Sequence, residues 1–259
     1  MANNVKSYNT NLIANIKSLN TNLAANIKSI NTNSFSVSPT FPSSDLVAYY
    51  KLDETSGTTV NCANNSSYNG TSTSCTVNEI GIISKAYSFN GATPSYITIT
   101  NNDVFNFGTG NFTINFWIKA DLTSGTQTFF HKWAGGEENN GYIFCKENGG
   151  AFIFILWNNS ANSLVTCAAA EYTNNSWGMF TVKRTSGTLS IDINAVNKVS
   201  EAKTERNISN TANITLGKYG LSPLTYTGLM DEMGIWNRAL TADEITALYN
   251  SGNGLTYAT

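Results

Sequence analysis

The residues of this chain best equipped for chemistry are two carboxylate pairs, one histidine and a set of tryptophans. Hydrolysis of a glycosidic bond needs two carboxylates on one face of the fold, one as acid and one as base or nucleophile. Asp231 and Glu232 are neighbours in a predicted strand, so they are expected to point to opposite faces. Glu137 and Glu138 fall in a Gly/Asn loop, and no Glu-x-Asp-x-x-Glu pattern occurs. His131 has no Ser or Cys nucleophile and no Asp partner at a workable spacing. No catalytic residue is assigned, and the chain is not expected to be an enzyme. Sugar recognition asks for other groups: aromatic rings to stack on C–H faces, with amides, hydroxyls and carboxylates for the sugar hydroxyls. Trp133 and Trp157 stand beside the polar loops His131-Lys-Trp-Ala-Gly-Gly-Glu-Glu-Asn-Asn and Leu156-Trp-Asn-Asn-Ser. If those loops share one rim, Trp133, Trp157, Tyr142, His131, Asn139 and Asn158 form a shallow glycan site. The competing reading ends a buried strand on Trp157 and lays Trp133 over a sheet edge.

The elements that must position these groups are mostly strands. From Leu46 onward, short apolar runs alternate with Gly, Asn, Ser and Thr turns. Strands are predicted at Leu46–Leu52, Ala86–Phe89, Tyr96–Ile99, Phe112–Lys119, Thr128–Lys132 and Tyr142–Lys146. Further strands are predicted at Phe152–Leu156, Met179–Arg184, Thr188–Ile193, Ile214–Leu216 and Gly228–Trp236. Trp117, Trp177 and Trp236 alternate with apolar neighbours and are expected between the sheets. One segment after residue 46 reads as a helix, Leu240–Tyr249, where Thr241 and Glu244 form a capping box ahead of Ile245 and Leu248. Many strands and one short terminal helix predict a mainly β, two-sheet antiparallel sandwich.

The N-terminus follows a different period. Val5, Tyr8, Leu12, Ile16, Leu19, Leu23, Ile27 and Ile30 are spaced 3, 4, 4, 3, 4, 4 and 3 residues apart, an eleven-residue repeat. The text repeats with it: KSYNTNLIANI from Lys6, KSLNTNLAANI from Lys17 and KSINTNS from Lys28. Such a repeat keeps its apolar stripe on one helix face, with at most a slow right-handed supercoil. Its other positions are mostly Asn, Ser and Thr, poor helix formers that leave the isolated arm unstable. The stripe at residues 5–30 therefore needs cover. Identical copies of the arm supply it most simply, and the arm's own globular domain is the alternative. Pro39 and Pro42 forbid continuation of the helix. The expected organisation is a helical oligomerising or anchoring arm over 1–34, a Pro-containing linker over 35–45 and a β domain over 46–259.

Composition narrows the classes further. Charged residues are 12% of the chain, and Lys and Arg number 15 against 17 Asp and Glu, for a net charge of −2. Nucleic acid is excluded as a partner on that basis, because a phosphate backbone calls for clustered cations. No apolar run is long enough to insert in a membrane, and the first apolar segment is periodic rather than the continuous core of a signal peptide. The four cysteines, Cys62, Cys75, Cys145 and Cys167, lack metal-ligand spacing, and a single histidine makes a zinc site unworkable. Disulfides Cys62–Cys75 and Cys145–Cys167 and buried free thiols both remain open.

Several segments, in order, resemble the laminin-G-like, concanavalin-A-like jelly-roll domains over about residues 46–257. They are Leu46-Val-Ala-Tyr-Tyr-Lys-Leu-Asp-Glu-Thr-Ser-Gly, Ala86-Tyr-Ser-Phe-Asn-Gly, Asn111-Phe-Thr-Ile-Asn-Phe-Trp-Ile-Lys, Trp177-Gly-Met-Phe-Thr-Val-Lys-Arg and Leu229-Met-Asp-Glu-Met-Gly-Ile-Trp-Asn-Arg-Ala-Leu-Thr-Ala-Asp-Glu-Ile. The resemblance implies a jelly roll and, in several relatives, a structural calcium held by an aspartate at the place of Asp231. Here Asn90 and Gly91 offer oxygens beside it, with Asp53 as a further ligand. Relatives carry another Asp where this chain reads Ala63-Asn64-Asn65, and simple hydrogen bonds from Asp231 and Glu232 to nearby turns are the alternative. An Asn-rich arm ahead of a lectin-like domain also resembles viral and bacteriophage fibres. The implied protein is a non-enzymatic virion fibre or capsid decoration, homotrimeric through residues 5–30 and docked by its arm to virion or surface-assembly proteins. It would bind polysaccharide at the virion surface or another extracellular location. A cellular surface adhesin and a sugar-free assembly subunit are the alternatives.

Overall fold

The structure is a computed structural model that describes residues 15–22, 39–91, 95–123, 125–133, 140–159, 161–220 and 224–258. The chain divides into two units, Met1–Ser38 and Pro39–Thr259. In the first, residues 15–22 form helix α1, whose Ile16 and Leu19 are 49% and 68% exposed. The rest of the arm expected over 1–34 lies outside the described residues.

The second unit is a sandwich of two antiparallel sheets. Its first strands are β1 (Leu46–Tyr50), β2 (Thr59–Val60), β3 (Gly70–Thr73), β4 (Thr76–Ile80), β5 (Lys85–Asn90) and β6 (Tyr96–Ile99). Then come β7 (Phe112–Ala120), β8 (Gln127–Trp133), β9 (Asn140–Lys146), β10 (Ala151–Asn158) and β11 (Ala161–Ala168). The chain closes with β12 (Trp177–Thr185), β13 (Thr188–Ile193), β14 (Val196–Ala202), β15 (Ile214–Leu216), β16 (Thr227–Trp236) and helix α2 (Ala242–Tyr249). One sheet runs β14-β13-β12-β7-β16-β5-β4, with β1 also paired to β16; the other runs β11-β10-β9-β8-β15-β6-β3-β2. Hairpins such as β8–β9–β10–β11 and β12–β13–β14 stay within one sheet, while the chain changes layer at steps such as β7 to β8 and β11 to β12, so the core is closed by contacts distant in sequence.

Alternation along the strands builds that core. Phe112, Ile114, Phe116 and Ile118 of β7 face Phe129, Phe144, Phe152 and Phe154 of the opposite sheet. Phe144 alone lies within 5.3–6.1 Å, ring centre to ring centre, of Phe116, Phe129, Phe130, Phe152 and Phe180. Each such buried ring stabilises the fold by about 1.5–3 kcal/mol relative to exposure.

The tryptophans depart from expectation. Trp117 and Trp236 are buried, but with Tyr49 and Met179 on the outer face of the first sheet, under Leu240, Ile245 and Leu248. Trp177 packs against the same cluster. Alternation correctly separates two faces of these strands; both are covered, and the aromatic outer face carries α2. That helix is capped as predicted: Thr241 Oγ1 accepts from Glu244 N–H, and Glu244 returns a bond to Thr241 N–H. Residues 39–45 are also packed rather than a free linker. Phe41 meets Tyr49 edge-on at 5.0 Å, and the Trp236 indole N–H donates to Pro42 O at 2.6 Å. All four cysteines are free thiols.

Candidate functional site

The outer face of the second sheet carries an apolar patch that the core does not need. On β9, Tyr142 and Phe144 turn inward, which leaves Ile143 and Cys145 outward; on β10, Ile153, Ile155 and Trp157 face the same way. Register aligns these into rows. Ile153 lies opposite Cys145, Ile155 opposite Ile143, and Trp157 opposite Gly141, which in turn lies opposite Trp133 of β8. A bulge at Thr128/Phe130 lets both Phe129 and Phe130 enter the core while His131 and Trp133 keep the outward side. Trp133 and Trp157 thus flank one strand, with backbones about 10 Å apart. Gly141 between them has φ +144°, and a Cβ there would come 1.9 Å from Lys132 O. Only glycine fits, and the row keeps a gap between its two indoles.

Residues 217–220, after β15, supply a wall. Its base is closed by Gly217 N–H to Phe129 O and Tyr226 N–H to Gly217 O, at 2.9 and 2.8 Å. Gly217 has φ +86°, and a Cβ would strike the Phe89 ring at 2.4 Å, so glycine is required again. From this base Tyr219 stacks on Trp133 at 5.1 Å with an interplanar angle of 12°, and meets His131 edge-on at 5.5 Å. Gly220 N–H donates to His131 Nε2 at 3.3 Å, which places the proton of the neutral imidazole on Nδ1. That Nδ1 has no hydrogen-bond partner among the described residues. Burial, with a smaller effect from the Lys218 charge, pushes the His131 pKa down to about 4, so the ring is neutral at pH 7.

Between this wall and the sheet lies a cleft of about 330 Å³. Ile143, Cys145 and Ile155 make its floor; Trp157, Tyr219 and Leu224 are its apolar sides. Thr126, Thr128 and Glu147 bring hydroxyls and a carboxylate to it. Along β9 and just past its end the cleft runs from Ile143 to Glu147, about 13 Å at strand spacing. It offers rings and methyl groups for stacking, with a few polar groups to orient a ligand.

The six residues expected to bind ligand are distributed unevenly around this cleft. Trp157 lines it. Trp133 shares its face but lies against Tyr219, so it supports the wall. His131 lies behind the same tyrosine, 5% exposed. Tyr142 does not join them: strand parity turns it into the core among Phe107, Phe112 and Phe130. Asn158 is one residue past Trp157, and its Nδ2 donates to Asn207 O at 2.8 Å, away from the cleft. Asn139, like Glu137 and Glu138, lies outside the described residues. Tyr219 was missed; its flanking glycines marked a turn, but only the pairing of β15 with β8 brings it over the sheet.

The acidic residues are also rearranged. The register between β16 and β7 shifts from Asp231 to Gly234, and Glu232 takes φ +49° in this bulge. Met230 and Met233 face the core, so both intervening carboxylates lie on the outer side instead of opposite sides. Asp231 Oδ2 accepts from Ile82 and Ile83 N–H at 2.9 and 3.1 Å, and Tyr49 Oη donates to Glu232 Oε2. Burial, followed by the Glu232 charge, pushes the Asp231 pKa up to about 9; burial raises that of Glu232 to about 7. At 0% and 1% exposed, the pair cannot reach a glycosidic bond.

The calcium ligands expected alongside Asp231 are not brought together. Asn90 pairs with Thr227, four positions along β16 from Asp231, or about 13 Å away. Gly91 O accepts from the Thr225 hydroxyl, and Asp53 Oδ1 accepts from Lys85 N–H at 2.9 Å. Asp53 is near enough to Asp231 to act on its charge, but among the described residues no group of three or more His, Cys, Asp or Glu side chains could hold a metal ion. The alternative of hydrogen bonds to nearby turns describes what Asp231 makes.

Residues 90–246 match the profile of the concanavalin A-like lectin/glucanases superfamily, in its laminin G-like branch. The chain belongs to this superfamily. Among solved structures, it is similar to the binding domain of Paraclostridial Mosquitocidal Protein 1, with a TM-score of 0.64 and 18% identity over 80% of this chain and 52% of that one. The receptor-binding domain of botulinum neurotoxin type G gives a TM-score of 0.62 and 19% identity over 81% and 52%. The binding domain of botulinum neurotoxin serotype D gives 0.63 and 17% over 80% and 52%. This chain spans about half the length of those structures, and at such identities the likeness is one of fold. No curated protein matches the sequence. Among the described residues, no helix is long and apolar enough to cross a membrane.

Proposed function

We propose that this chain is a non-catalytic adhesion protein whose sandwich binds surface glycan in the cleft between β8–β10 and Tyr219. The observation that carries this reading is the half-buried aromatic and aliphatic surface of Trp157, Tyr219 and Ile155, laid over the nearly buried Ile143 and beside the Thr126 and Glu147 side chains. A sheet that needed only to close its own core would place polar residues on this face. Structures named as receptor-binding or binding domains share the fold, which supports a binding role and an extracellular setting.

The arm extends the proposal. Residues 5–30 self-associate as a trimer, with the N-terminus docked to a virion or other surface assembly, and the sandwich is presented outward as in a fibre or capsid decoration. Three linked domains would turn weak single-site contacts into firm attachment by raising effective concentration. A glycan array tests the binding claim. The intact chain should be retained on a defined subset of glycans, and Trp157→Ala should abolish retention. Retention on none, or the same pattern from Trp157→Ala, would contradict it.

A further inference from the structure

The chemistry of the cleft floor selects among sugars. Ile143, Cys145 and Ile155 present only methyl, methylene and thiol groups, and the thiol is held protonated: burial, with the Glu147 charge, pushes its pKa up to about 12. A hydroxyl pressed onto this floor loses its water and meets only the weakly hydrogen-bonding Cys145 thiol in return, which disfavours a plain hexose there. A methyl group gains contact with both isoleucines. The polar complement lies just past the end of this strand: Glu147, two residues after Cys145 in the turn that follows β9, lines the cleft, and its carboxylate can accept an N–H. The Thr126 hydroxyl oxygen accepts from Asn148 N–H at 3.2 Å and retains its own proton to donate to a carbonyl. Methyl, N–H and C=O are the three parts of one substituent.

We infer that the cleft takes an acetamido sugar, with the acetyl methyl on the Ile143–Ile155 floor and the amide directed to Glu147 and Thr126. This inference rests on the glycan reading of the cleft and narrows it to one ligand class. Calorimetric titration of the intact chain with the fully N-acetylated chitotriose and with cellotriose separates the two claims, because these trimers differ in the acetamido group and share linkage and ring configuration. Chitotriose should bind at least roughly tenfold tighter, the scale expected for burying one methyl and pairing its amide. Ile143→Thr shortens the side chain and places a hydroxyl on the floor, and it should narrow that ratio, whereas Ile143→Val, which shortens the side chain without adding a hydroxyl, should keep it. Equal or tighter binding of cellotriose, lost in Trp157→Ala, would overturn the acetamido assignment and leave the glycan site standing. Heat from neither trimer, together with no retention on a glycan array, would overturn both.

Discussion

Asp231 and Glu232 show how little a residue's type says about its work until its surroundings are known. Side by side in sequence, they suggest catalysis or calcium; in the fold they are sealed beneath Tyr49 and the Ile82–Ile83 amides. Their raised pKa values mean that the folded state holds protons the unfolded chain releases at neutral pH. The resulting stability is fully present below about pH 4 and is lost as pH rises through about 7 for Glu232 and about 9 for Asp231. Glu244 has the opposite sign. The Arg238 guanidinium, bonded to both its oxygens at 2.6–2.7 Å, pulls its pKa down to about 2, so its contribution is present above pH 4.5 and lost below it. The melting temperature should therefore peak near pH 5 and fall toward pH 9. Asp231→Asn, which keeps an oxygen for the two amides and removes the charge, should flatten the fall; an unchanged pH profile by calorimetry would contradict this account.

At the scale of elements, the wall built by Tyr219 decides whether the outer face of the second sheet is a cleft or a flat patch. Tyr219→Ala should admit water to His131 and raise its pKa from about 4 toward 6.5, measurable by NMR titration of the imidazole. The sandwich interior should respond on another scale: Phe144→Ala removes a ring touching five others and should cost about 3–5 kcal/mol in denaturant unfolding. The strands that could be read from sequence are those with strong inward alternation, such as β7, β10 and β12. Those that could not are β2, β3, β4 and β14, short or polar segments at or next to a sheet edge, and the edge strand β11, where small and polar residues share the outward positions. Period-two alternation names two faces but not which one meets the opposite sheet, so Trp117 and Trp236 were assigned to the wrong layer. The bulge at Glu232 breaks the period itself, and no local residue pattern announced it. The place of Trp157 at the cleft was legible because it is a large ring beside polar loops. Tyr219 was not, since its position depends on a pairing between segments more than 80 residues apart.

For the whole molecule, the two units make separate claims. Light scattering should give a trimer for the intact chain and a monomer for a chain beginning at Pro39, where the second unit starts. A monomeric intact chain would remove the multivalent part of the proposal and leave the cleft untouched. That cleft is the central claim, and isoleucine methyl NMR addresses it most directly. Ile143 and Ile155 line the cleft, whereas Ile114 and Ile191 lie in the core. With methyl-labelled intact chain and added chitotriose, or any glycan retained on the array, the Ile143 and Ile155 signals should move while Ile114 and Ile191 stay fixed. Binding that leaves Ile143 and Ile155 unmoved, or moves methyl groups only elsewhere, would contradict the assignment of this face as the binding site.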